Sequence, residues 1–148
     1  MKKIITLFLC LFGLTAANAQ ENPVTWSAAY KAINATEGEI IISAKIEKNW
    51  HIYSQTASSA GPVPTSFNFE PVKNFKLLGT ATEIGAHEIF DKTFDAQISS
   101  FSDKAEFRQK IKITGKPGFI IPFTVEYMSC NDMMCLPPKT VNLNVKTQ

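Results

Sequence analysis

Nine short runs rich in β-branched and aromatic residues, with no helical apolar spacing between them, set the main limit on what this chain can become. They are VTWSAAYKAI (24–33), GEIIISAKIEK (38–48), WHIYS (50–54), TSFNFEPV (65–72), FKLLGTATEI (75–84), KTFDAQISSF (92–101), KAEFRQKIKIT (104–114), GFIIPFTVEYMSC (118–130) and KTVNLNVK (139–146). Turn-prone pieces separate them: NATEG, SSAGPVP, SDK and TGKPG. Several runs alternate apolar with polar residues, as in EFRQKIKI, where Phe107, Ile111 and Ile113 are expected to share a face with a bulge near Gln109. Eight or nine strands so spaced predict an all-β fold, an antiparallel immunoglobulin-like β-sandwich. The inter-sheet disulfide of immunoglobulins is not available, because Cys130 and Cys135 are five positions apart. The sequence shows no internal repeat, low-complexity segment or second domain.

Compartment decides what a cysteine pair means. The chain opens MKKIITLFLCLFGLTAANAQ, with Lys2 and Lys3, an apolar run from Ile4 to Ala17, and Ala17-Asn18-Ala19 as an A-x-A site. This reads as a secretory signal peptide over residues 1–19, cleaved after Ala19, rather than as an anchor; the run is shorter than the roughly 20 residues a span needs. Cys10 lies within the run and is lost on processing, which leaves two cysteines in a single domain of residues 20–148. The expected location is periplasmic or secreted. Removing the two leader lysines leaves thirteen basic against thirteen acidic residues. A mature chain with no net charge offers no phosphate-binding patch, so no nucleic-acid partner is expected. At this length one domain buries its own core without a framework of several disulfides, and a monomer is expected.

The chemistry concentrates in VEYMSCNDMMCLPPKT, residues 125–140. Cys130 follows a strong strand pattern and Cys135 precedes Leu136-Pro137-Pro138, where the prolines hold the chain extended. Asn131 and Asp132 are turn formers, so the cysteines should flank a hairpin end with their sulfurs within bonding distance. Closing so short a ring contributes about 2 kcal/mol, against about 3 for a 15-residue loop. A short ring is a poor staple, but it holds two thiols ready to close again after reduction, as dithiol exchange requires. Three readings stay open from spacing alone: a structural disulfide, an exchange centre, and a metal clamp. Met128, Met133 and Met134 flank the pair, and thiolate with thioether suits Cu(I). Against metal, such methionines also serve as gap fillers or adaptable contacts, and no second cysteine pair or His-x-x-x-His completes a zinc site.

VEYMSCNDMMCLPP resembles the cysteine hairpin of the N-terminal periplasmic domain of the thiol:disulfide interchange protein DsbD family, a pattern of aromatic, short gap, Cys, several residues, Cys, aliphatic and Pro-Pro. NWHIYSQ resembles that family's strand of alternating aromatics beside the cysteines, GPVPTSFNFEP with FKLLG the segment after it, and HEIFDKTF the segment containing its cap loop. The similarity runs from Val24 to Val145 in the same order.

The resemblance implies an immunoglobulin-like domain whose cysteine pair cycles between dithiol and disulfide without a bound cofactor or metal, an electron relay akin to a protein-disulfide reductase. It implies Cys135 as the more exposed sulfur, attacked in mixed disulfides, and Cys130 as its resolving partner. It places Ile89 and Phe90 at a cap over the pair, Glu88 beside them, and His51 and Tyr53 on the neighbouring strand. Acids such as Asp132 and Glu88 would oppose thiolate formation, so that docking rather than a low thiol pKa sets reactivity. Read bare, Phe90 is as well a core aromatic, Tyr53 a sheet-packing residue and His51 a strand-face residue bonded to its neighbours. The loop is one residue shorter than in the best-known members, and Ile89 stands where an aromatic is expected. The implied partners are thioredoxin-like proteins: a separate DsbD-type transmembrane electron donor, and a disulfide isomerase or cytochrome c maturation thioredoxin as acceptor. The competing expectations are an adaptor sandwich with a permanent disulfide and a Cu(I) carrier using Cys130, Cys135 and nearby methionines.

Overall fold

Alternation of buried and less buried side chains along β2, β8 and β9 drives the architecture, because successive side chains of a strand point to opposite faces. The computed structural model describes residues 22–56, 61–71 and 73–148; the expected signal peptide and its cleavage site lie outside the described residues. Eleven strands form among the described residues: β1 (Val24–Ala32), β2 (Glu37–Ile46), β3 (His51–Tyr53), β4 (Ser66–Phe69), β5 (Phe75–Ile84), β6 (His87–Asp91), β7 (Ala96–Ser102), β8 (Lys104–Ile113), β9 (Ile120–Tyr127), β10 (Ser129–Cys130) and β11 (Lys139–Lys146). Every ladder is antiparallel, and no helix occurs among the described residues. The strands order as β1-β2-β8-β5, β10-β3-β7-β6 and β11-β9-β4. This is the expected immunoglobulin-like sandwich.

All three sheets feed one core. Ile40, Ile42 and Ala44 of β2 and Phe107 and Ile111 of β8 pack with Phe123, Val125 and Tyr127 of β9, and with Ile52 of β3 and Phe101 of β7. Aromatic rings cross between the sheets: Trp26 to Tyr127 at 5.3 Å, Phe67 to Phe107 at 4.9 Å, and Phe101 to Phe107 at 5.1 Å between centroids. Such tilted and edge-on pairs add to the area they bury.

Two strand readings are corrected. Phe107, Gln109, Ile111 and Ile113 share the buried face of β8 with no bulge in that strand; all are odd-numbered, so simple alternation suffices. The irregularity lies on the partner, β5, between Leu78 and Thr82. There Gly79 takes a positive φ of 68°, and the Gln109 amide donates to the carbonyls of Gly79 (3.3 Å) and Lys110 (2.9 Å). The run 92–101 is not one strand: residues 92–95 turn, and His87–Asp91 forms a strand of its own, β6.

β3 and β7 serve two clusters, one on each face. Ile52 and Phe101 point into the main core, while Tyr53 and Ile98, of opposite parity, join Cys130 in a second buried cluster. That second face carries the chemistry.

Candidate redox site

Cys130 is placed by a change of partner. After Tyr127 the chain leaves the ladder shared with β4 and β11, and at β10 it pairs with β3, with Ser129 opposite Ile52 and Cys130 opposite His51. The loop then closes on itself. Asn131 Oδ1 accepts the backbone N–H of Met133 and of Met134, each at 2.9 Å, and Asn131 N–H donates to the Met134 carbonyl at 2.9 Å. This asparagine turn brings Cys135 opposite Cys130 as an isolated antiparallel bridge, and a disulfide joins them with Cα atoms 4.0 Å apart. The expected hairpin pair is present.

The two sulfurs differ in surroundings. Cys130 is fully buried with Tyr53 and Ile98, whereas Cys135 is half-buried at the margin of that cluster. Met128 packs against the same cluster, while Met133 is 89% exposed and Met134 46% exposed. Asp132 is exposed beside the turn.

Next to the pair stands a hydrogen-bonded triad. Tyr53 Oη donates to Asp91 Oδ2 at 2.5 Å, and His51 Nε2 lies 3.1 Å from Tyr53 Oη and 3.3 Å from the same carboxylate oxygen. The other oxygen, Oδ1, accepts the N–H of Thr93 at 2.8 Å and of Phe94 at 3.3 Å. Burial alone would raise the Asp91 carboxyl; the bonds from Tyr53, Thr93, Phe94 and His51 outweigh it and hold the group below the usual carboxylate range. Burial first, then the hydrogen bond and charge of Asp91, push the Tyr53 phenol far above its ordinary value. Asp91 is thus an ionised acceptor and Tyr53 a neutral donor throughout the physiological range.

The expected cap residues divide. Ile89 pairs with buried Ile98 and shares its face, whereas Glu88 and Phe90 pair with Ser99 and Gln97 on the other face. Phe90 is 55% exposed and Glu88 is exposed. Ile89, Phe90, His51 and Asp132 line one cleft of about 280 Å³ beside the hairpin. The aromatic ring packed on the cysteine cluster is instead Phe94, edge-on to Tyr53 with centroids 6.1 Å apart. Sequence reasoning passed over both Asp91 and Phe94. The available signal was Asp91-Lys92-Thr93, an aspartate two residues ahead of a threonine N–H, which marks an Asx-turn.

An immunoglobulin-like sandwich with a disulfide closing a hairpin at its rim, one sulfur sealed and the other half-open, defines a class of β-domain built around a cysteine pair. The chain belongs to a particular family of that class: thiol:disulfide interchange protein DsbD, N-terminal, whose sequence model matches residues 20–147. No curated protein sequence is matched. Among solved structures the fold is similar to the N-terminal domain of DsbD from Neisseria meningitidis in its reduced form, with 12% identity, TM-score 0.53, and 82% of this chain and 85% of that one covered. It is similar to the N-terminal periplasmic domain of ScsB from Proteus mirabilis, with 13% identity, TM-score 0.59 and 83% of this chain covered; there it spans 45% of the longer chain. It is also similar to a complex of the DsbD and PilB N-terminal domains from Neisseria meningitidis, with 12% identity, TM-score 0.50 and 80% coverage of each chain. Family and bonded cysteine pair together support thiol–disulfide exchange with partners, at that level of description.

Proposed function

We infer that this chain is an extracytoplasmic electron relay that exchanges its Cys130–Cys135 disulfide with thioredoxin-like proteins. The observation that carries this reading is the asymmetry of the pair: a half-buried Cys135 bonded to a sealed Cys130 at a hairpin tip. A donor thiolate attacks Cys135 Sγ, the disulfide breaks, and Cys130 departs as a thiolate that takes up a proton. The donor's second thiol then displaces Cys135 from the mixed disulfide, leaving the donor oxidised and both cysteines reduced by two electrons. Discharge runs the same path backwards: Cys135 attacks an acceptor disulfide, and Cys130 resolves the intermediate.

A separate DsbD-type membrane protein is the proposed donor, and a disulfide isomerase or cytochrome c maturation thioredoxin the proposed acceptor. The periplasmic setting of the ScsB relative and the PilB complex of the neisserial one favour this location and this kind of partner. The test is the reduction potential of the pair in the processed domain, equilibrated with glutathione or dithiothreitol and read by alkylation and mass. A value of roughly −120 to −270 mV is expected for a working couple, and one below roughly −300 mV would mark the bond as structural and overturn the reading.

A further inference from the structure

The β6–β7 hairpin does not lie where a flat ladder would put it. Asp91 pairs with Ala96, whereas Tyr53 pairs with Ser100, four residues further along β7 and across a second strand spacing. In a flat sheet that separation is about 13 Å along the strands and about 10 Å across them. A phenol and a carboxylate do not bridge it. Yet Tyr53 Oη and Asp91 Oδ2 are 2.5 Å apart, so the tip of the hairpin bends over the face that bears Cys130, His51 and Tyr53.

Asp91 is the hinge pin of that bend, because its two oxygens serve two elements. Oδ1 orders the turn through Thr93 and Phe94, and Oδ2 ties the turn to β3 through Tyr53 and His51. The side chain so fixed is Phe94, which is half-buried with Cys135 on the Tyr53–Ile98–Cys130 cluster. We propose that Asp91 is a positioning residue for exchange: it straps the β6–β7 tip to β3, holds Phe94 over the cysteine pair, and so sets how readily a reductant reaches Cys135. The biological meaning rests on the exchange reading above; the strap itself is testable without any partner.

The probe is tris(2-carboxyethyl)phosphine acting on the oxidised, processed domain, with thiols quenched by alkylation and counted by mass. Phosphorus attacks Cys135 Sγ and Cys130 leaves as a thiolate; water then releases Cys135 and yields the phosphine oxide, so that phosphorus supplies both electrons. Asp91→Asn keeps an oxygen for the turn but sets an NH2 donor where Tyr53 Oη needs an acceptor, and Tyr53→Phe removes the donor while keeping the ring. Each should speed reduction by about tenfold or more, the gain in open tip that follows loss of one charge-assisted hydrogen bond. Phe94→Ala should do the same with the strap intact, and Phe94→Leu should restore a rate near that of the unaltered protein. Because the strap acts through Phe94, the double variant Asp91→Asn/Phe94→Ala should be no faster than Phe94→Ala alone.

All rates are taken where thermal melting shows the variant fully folded. Unchanged rates in Asp91→Asn and Tyr53→Phe overturn the proposal. So does a double variant that gains the full factor of each change, which would mean Asp91 acts on general stability. Rates that respond in a protein whose potential marks the bond as structural leave the strap standing and remove the exchange reading; unresponsive rates in a protein with an exchange-type potential do the reverse.

Discussion

Cys130 stands directly opposite His51 in the ladder between β10 and β3, so the sealed sulfur and the imidazole occupy one face of the same small sheet. Cys135 reaches that face only through the Asn131 turn, and it stays at the margin. The pair is therefore chemically unequal before any partner arrives.

That inequality predicts unequal alkylation. In reduced single variants, the thiol left by Cys130→Ser should react with iodoacetamide about tenfold or more faster than the thiol left by Cys135→Ser, since accessibility governs attack at sulfur. Mass-resolved time courses give both rates. Equal rates, or a faster Cys130, would contradict the assignment of Cys135 as the attacked sulfur.

The triad predicts the pH limits of the fold. The Asp91 carboxyl titrates below its ordinary value in the folded chain, so its stabilising contribution is complete above the unfolded pKa of about 3.9 and is lost as pH falls through the folded value. The Tyr53 phenol is raised, so its contribution is complete below about pH 10 and is lost as pH climbs from there. Denaturant midpoints followed from pH 2 to 6 should fall steeply at the acid end, and Asp91→Asn should flatten that limb. An identical acid slope in the variant would refute this account of Asp91.

Gln109 predicts a local cost. It is buried on a face otherwise apolar, and its amide donates to the carbonyl of Gly79 in the β5 bulge and to that of Lys110 in β8. Gln109→Leu should lose about 1 kcal/mol, the net contribution of an intramolecular hydrogen bond. Hydrogen exchange should quicken first around Gly79–Ala81, next to the cleft of about 770 Å³ that these residues line. Stability unchanged within 0.5 kcal/mol, about the scatter of neutral surface changes, would show that the bulge supports itself.

Most of the sandwich is legible in the sequence because strand patterning is local: runs such as EIIIS and PFTVEY carry their buried face in their own alternation. The cysteine hairpin is legible for the same reason, its asparagine, cysteines and prolines being neighbours in sequence. What escapes is long-range. His87–Asp91 alternates weakly and is mostly exposed, so nothing local separates it from a loop; its strand character comes from the ladder to β7. Asp91 gains its role from Tyr53, 38 residues earlier. The break at Met128 is invisible within one strand-like run, because only the switch of partner from β11 to β3 creates it.

The two faces of β3 and β7 carry different burdens. The ring cluster of Trp26, Phe67, Phe101 and Phe107 lies on one side, and on the other Cys130, in a strand of two residues whose only neighbouring strand is β3, with Cys135 bonded to it. Making or breaking the sulfur bond thus disturbs a margin rather than the keel. The sulfur bond and the main ring cluster are kept apart by the thickness of one sheet, each with its own packed face.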